Sequence, residues 1–176
     1  MPENPIDLIL LHEGGYSNNP NDHGGPTKYG ITQGTLRNWL KRPARVEDVK
    51  NLTEAEAREI YETNYLTGPR ISTLPEPPQT QVLDIAVNRG PRRAIKMVQH
   101  VCNLAGFGPI DEDGVIGPQT RSTIIKAVAA MGPYFRNALV EERVKFYEEI
   151  IANDSDQEVF RKGWMARANR FLLPVK

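Results

Sequence analysis

A single cysteine, Cys102, in a chain of 176 residues excludes an intramolecular disulfide. The fold must therefore rest on a hydrophobic core, which a chain of this length is able to bury. Cys102 shares an apolar helical face with Val98, Val101 and Leu104; a thiol there packs as a small hydrophobe and lacks the partner that would activate a nucleophile. Neither sign of charge is in excess, with Lys plus Arg and Asp plus Glu at 22 each. That balance removes the field that would steer nucleic acid or a membrane surface, and no nucleic-acid partner is expected. No apolar run approaches the roughly 20 residues needed to span a bilayer, so no stable membrane insertion is expected. The opening Met1 to Leu11 has neither a basic start nor a long apolar stretch, and it reads as cytoplasmic protein, not a signal peptide. Internal repeats and low-complexity segments are missing, as are convincing runs of alternating apolar residues. The fold class is therefore all-α.

What is present is helical periodicity with clear punctuation. Asn4-Pro5 is an N-cap and first-turn pair ahead of the apolar Ile6, Leu8, Ile9, Leu10 and Leu11, and Gly14-Gly15 ends that helix. Tyr16 to Gly30 reads as a structured loop or short hairpin, after which Thr32 caps a short helix through Leu36, Trp39 and Leu40. Thr53 with Glu56 forms a capping box, with Ala57, Ile60, Tyr61 and Tyr65 behind it at helical spacing. Two helices meet at Gly90-Pro91, and Pro118 opens another after a glycine- and aspartate-rich joint from Gly106 to Gly117. Amphipathic helices over 134–151 and 157–171 complete the chain.

The chain is organised around residues 10–32, where an apolar helix hands a carboxylate, Glu13, to a glycine-rich polar loop holding a second, Asp22. Glycoside hydrolysis needs such a pair, one protonated carboxyl for the departing oxygen and one ionised carboxylate for water or the sugar. Glu13, at the end of an apolar helix, is expected to be partly desolvated and to stay protonated near neutrality. Asp22, among Asn18, Asn19, Asn21 and His23, is expected to stay ionised. Tyr16 and Tyr29 either stack on sugar C–H groups or pack the loop onto the core. Asn88 either bonds an N-acetyl group or caps its helix before Gly90.

Metal chemistry finds no support in the pattern. His12 and His23 flank the two acids, but there is no HExxH and no spaced Cys/His set. In Asp111-Glu112-Asp113-Gly114 the glycine falls too early for a calcium loop, and the stretch reads as a turn. Neither a metal nor a cofactor is expected. After Glu158 come Arg161, Lys162, Arg167, Arg170 and Lys176 with no acid among them. Such a run reads as a solvated helix face, with contact to anionic envelope polymers as the functional alternative.

Glu13-Gly14-Gly15-Tyr16, followed by Gly24-Gly25-Pro26-Thr27-Lys28-Tyr29-Gly30-Ile31-Thr32, resembles the muramidases of glycoside hydrolase family 108, found as phage and prophage endolysins. Leu83-Asp84-Ile85-Ala86-Val87-Asn88-Arg89-Gly90-Pro91 is similar to that family's helix and turn beside the cleft. Asp113 to Thr120, Glu142-Arg143, Phe146-Tyr147 and Gly163-Trp164 are similar to its companion peptidoglycan-binding domain. The resemblance implies a lysozyme-like catalytic part over residues 1–92, a closely packed helical peptidoglycan-binding part over 93–176, and cleavage of the β-1,4 bond between N-acetylmuramic acid and N-acetylglucosamine. By position, Glu13 is the proton donor. Eight residues separate Glu13 from Asp22 and four separate Asp22 from Thr27. This looks like the Glu-Asp-Thr arrangement of phage-type lysozymes, where five is usual for the second gap.

The implied catalytic residues are Glu13, Asp22 and Thr27, with Tyr16, Asn18, Tyr29 and Asn88 as substrate-binding residues. The implied partner is peptidoglycan, reached by a monomer kept in the cytoplasm until a holin-like partner releases it to the cell wall. A lytic transglycosylase, which needs only one acid/base glutamate, and a noncatalytic peptidoglycan-binding protein are the competing expectations.

Overall fold

The computed structural model of the protein describes residues 4–18 and 25–175. Among them the secondary structure is nine α-helices, a minimal hairpin and three shorter helical turns, in agreement with the all-α, lysozyme-like expectation. The chain divides into two compact units at Gly68/Pro69.

In the first unit, α1 (Pro5–Glu13) starts where the Asn4 side chain accepts from the Ile6 N–H at 2.9 Å, satisfying a donor the helix cannot use itself. Ile6, Ile9 and Leu10 are buried while Leu11 faces outward. After Gly14 the chain returns as β1 (Thr27–Lys28) and β2 (Ile31–Thr32), paired antiparallel. Thr32 then caps α2 (Gln33–Leu40) by accepting from the Thr35 N–H. A short α3 (Val46–Asn51) had no counterpart in the sequence reading. Its Asp48 takes two bonds from Arg42 and one from the Arg45 N–H, which together hold its carboxyl well below the usual carboxylate range. The Thr53–Glu56 capping box opens α4 (Glu54–Tyr61), which runs on into a wider π-helical turn, Glu62–Thr67. An Asp7–Arg58 ion pair at 2.5 Å ties α4 to α1.

In the second unit a 3-10 turn (Ile71–Thr73) leads to α5 (Pro78–Arg89), α6 (Pro91–Leu104), α7 (Pro118–Met131) and α8 (Pro133–Asn153). A second 3-10 turn (Ser155–Phe160) then precedes α9 (Arg161–Asn169). A Gly-Pro pair opens α6, α7 and α8 alike, because proline presets the first turn without a donor and the preceding glycine absorbs the change of direction. The joint before α7 is bonded to α6. The buried Gln99 amide donates to Asp113 Oδ1 at 2.9 Å and to the Val115 carbonyl at 3.1 Å, and its oxygen accepts from the Gly114 N–H at 2.9 Å. The Asp111–Gly114 stretch is thus the turn expected. Cys102 is buried, and burial pushes its thiol up to about 11.

The basic run at the C-terminal end departs from expectation. Arg161 pairs with Glu148 and Glu158, while Arg167 and Arg170 reach Asp84 at 3.0 and 2.8 Å. Arg143, fully buried, donates to the other oxygen of Asp84 at 2.7 Å. Much of the apparent solvated face is therefore neutralised from within, by carboxylates up to 86 residues away in sequence. Burial pushes the Asp84 carboxyl up, but the charges and hydrogen bonds of Arg143 and Arg167 outweigh it and leave it below its ordinary value.

Candidate active site

The site expected from the sequence is assembled by the turn of the hairpin. Tyr29 and Gly30 both have positive φ, at 52° and 75°, as a two-residue turn matching the twist of its strands requires. Only glycine takes this conformation without strain. At position 30 glycine is required for a second reason. A methyl group there would lie 2.6 Å from the Tyr61 hydroxyl, 2.8 Å from Glu13 Oε2 and 3.1 Å from Glu13 Cγ. The Glu13 side chain thus lies directly on the backbone of the turn, with the buried phenol of Tyr61 converging on the same point.

Each approach has a local cause. The apolar face of α1 is anchored through Ile6, Ile9 and Leu10, which fixes the end of the helix and brings its last residue, Glu13, partly exposed, to the hairpin. Tyr61 sits at the end of α4 on the face that carries Ala57 and Ile60, and its hydroxyl donates to the Tyr29 carbonyl at 2.6 Å. Tyr65 packs one turn on, with ring centroids 5.5 Å apart. The strand partner of the hairpin is the segment that leaves α1. Ser17 and Thr27 exchange two backbone hydrogen bonds at 2.8 Å each, so the chain after Glu13 is stitched to the same turn.

The sequence-expected residues fall as follows. Glu13 lies at the hairpin turn. Thr27 is half-buried in β1, and among the described residues its hydroxyl makes no hydrogen bond. Tyr16 and Asn18 are exposed on the stitched segment, and the Lys50 ammonium lies 5.8 Å from the Tyr16 ring centre. Tyr29, half-buried, has the Lys28 ammonium at 5.5 Å. Asp22 and His23 lie outside the described residues. Asn88 belongs to the second unit, where its side-chain oxygen accepts from the Tyr147 hydroxyl at 2.7 Å; the cap before Gly90 is made by the backbone, not by Asn88.

Two contributors were missed from the sequence. Tyr61 was read as a core position because its helical spacing says nothing of where its hydroxyl ends. Gly30 belongs to the loop and to the family motif, and its closeness to Glu13 is a long-range fact that only a Gly after Tyr29 hints at.

The geometry places a partly exposed glutamate at a glycine turn, and comparison with known proteins gives the class of the chain. Residues 6–90 match the family described as Glycosyl hydrolase 108, and residues 93–169 match the Predicted Peptidoglycan domain. The solved structure of Brucella abortus SagA is similar at 34% identity and a TM-score of 0.81, with 94% of this chain and 88% of that chain covered. Among curated proteins, none matches. The chain belongs to the glycosyl hydrolase 108 family, carries the peptidoglycan domain beside it, and is a glycoside hydrolase acting on peptidoglycan. The first family segment ends at residue 90 and the second begins at residue 93, whereas the compact units part at Gly68/Pro69, with α5 packed along α6 in the second unit.

Proposed function

We propose that the chain hydrolyses the β-1,4 bond between N-acetylmuramic acid and N-acetylglucosamine, with Glu13 as general acid. The observation that carries this reading is the seating of the Glu13 side chain against Gly30 and Tyr61, partly open to solvent at a fixed position. A proton donor must be held in place relative to the glycosidic oxygen, and a glycine turn allows that approach. Asp22 then activates the attacking water, with the hydroxyl of Thr27 helping to hold it. A carboxyl separation of about 6.5–9.5 Å gives inversion and one of about 5 Å gives retention. Tyr16, Asn18 and Tyr29 contact the sugars from the same loop, residues 1–92 form the cutting part, and 93–176 form the part that grips the polymer.

Glu13→Gln keeps the shape of the side chain and removes the proton. It should abolish release of soluble fragments from purified sacculi while leaving the thermal transition in place, and appreciable turnover would refute the assignment. Mass spectrometry of the wild-type digest should show reducing muramic acid ends; anhydro ends would move the chain to the transglycosylases.

No helix among the described residues is long and apolar enough to cross a membrane, and the polymer lies outside the inner membrane. Release by a holin-like, membrane-opening partner is therefore part of the proposal. Lysis on expression in cells whose inner membrane stays sealed would overturn it.

A further inference from the structure

We propose that a groove between α6 and α8 binds the peptide stem of peptidoglycan, so that the second unit reads the cross-linking peptide while the glycan is cut elsewhere. The proposal rests on peptidoglycan being the polymer and not on the role of Glu13. Two adjoining hollows of about 360 and 450 Å³ share Glu142 and Lys145 and form one channel along the two helices. This is the size range of small-ligand sites.

Its walls follow from helical spacing. Arg93, Lys96, Met97 and His100 recur at i, i+3, i+4 and i+7 on α6, and Glu142, Lys145, Phe146 and Glu149 do the same on α8. The stripes face each other, so one end of the channel carries both signs of charge. At the other end Val101, Leu104, Ala105 and Ala138 stand beside Glu141, Glu142 and Lys145, with Leu104 69% exposed.

Three observations select the occupant. First, Lys96, Lys145 and Glu149 line the charged hollow and have no ion pair among the described residues, which leaves their charges available to a ligand. Second, a sugar-binding floor needs an open aromatic face, and the Phe146 ring is occupied by the Arg93 guanidinium at 4.9 Å. Third, both signs of charge set beside small apolar side chains match a short peptide with free carboxylates, a side-chain amine and alanine methyls. Neutral amino sugars present no such sequence of groups. His100, 3.0 Å from Glu112 and 3.9 Å from Glu142, closes the charged wall.

The test uses the full chain carrying Glu13→Gln, so that no glycan is cut. Its titration with L-alanyl-γ-D-glutamyl-diaminopimelyl-D-alanine should show binding, weakened at least about tenfold by the double charge reversal Lys96→Glu with Lys145→Glu. Binding of an N-acetylglucosamine oligomer should be unaffected by the same reversal. The neutral pair Lys96→Gln with Lys145→Gln, checked for an unchanged thermal transition, should weaken the peptide in the same direction. Absence of peptide binding, peptide binding insensitive to both double variants, or an equal loss for the sugar oligomer would overturn the proposal. Where wild-type protein still solubilises sacculi, such a result removes the groove assignment alone; loss of that turnover in the wild type would refute the hydrolase reading instead.

Discussion

The Tyr61 hydroxyl donates to the Tyr29 carbonyl at 2.6 Å, pinning from below the turn on which Glu13 rests. Helix, hairpin and acid are thereby one mechanical assembly. Displacement of the turn displaces the carboxyl.

Tyr61→Phe removes only the hydroxyl, and the Tyr29 carbonyl loses its partner. The expected cost is about 1–3 kcal/mol in urea unfolding, with a fall in turnover on sacculi at conditions where the variant is fully folded. Unchanged stability and unchanged rate together would show that the turn is held by other means.

Gly30→Ala introduces a methyl group into the space of Glu13 and Tyr61 at a φ of +75°. The conformation alone costs about 1–2 kcal/mol. Displacement of the acid by even an ångström is expected to lower the rate by roughly 100-fold. A variant with wild-type turnover would mean that Glu13 does not work from this position.

Asp84→Asn leaves Arg143 buried with no compensating charge, and a loss of about 3–5 kcal/mol is expected. The pH dependence follows from the sign of the shift. Because the folded carboxyl titrates below its unfolded value, its contribution is present above the unfolded value of about 3.9 and is lost as pH falls through the folded one. Acid titrations of stability should therefore be shallower below about pH 4 for the variant than for the wild type. Parallel curves would remove Asp84 as the source of acid sensitivity.

Cys102, buried and with a thiol at about 11, should resist modification by a thiol reagent at pH 8 in the native protein. Its labelling rate should match the opening rate measured by hydrogen exchange for α6. Rapid stoichiometric labelling of folded protein would contradict the packing.

Local signals were legible in the sequence because each is decided within a few residues. Asn4, Thr32 and the Thr53–Glu56 pair cap the helices as their side chains dictate, and the Gly-Pro pairs mark the helix starts. Glu13 at a helix end before two glycines is locally an ordinary surface residue, and the family resemblance over the whole chain is what marks it as a candidate acid. What could not be read depended on distance along the chain. Tyr61 reaches Tyr29 across 32 residues, and its helical spacing reports only that it is buried. Summing charge signs along 159–176 pointed to a solvated face, since nothing local reveals that Asp84 and Glu148 supply the opposite charges. The short α3 was missed because its apolar content is too small to show a period; Asp48, bonded to Arg42 and to the backbone of Arg45, defines it instead.

The two family segments meet between residues 90 and 93, yet Asp84 lies on one side of that seam and its three arginine partners lie on the other. Severing the chain there would strand an anion in one fragment and an unshielded cation cluster in the other. An engineer who wishes to graft the peptidoglycan-domain segment onto another enzyme must therefore carry α5 along with the carboxy-terminal helices.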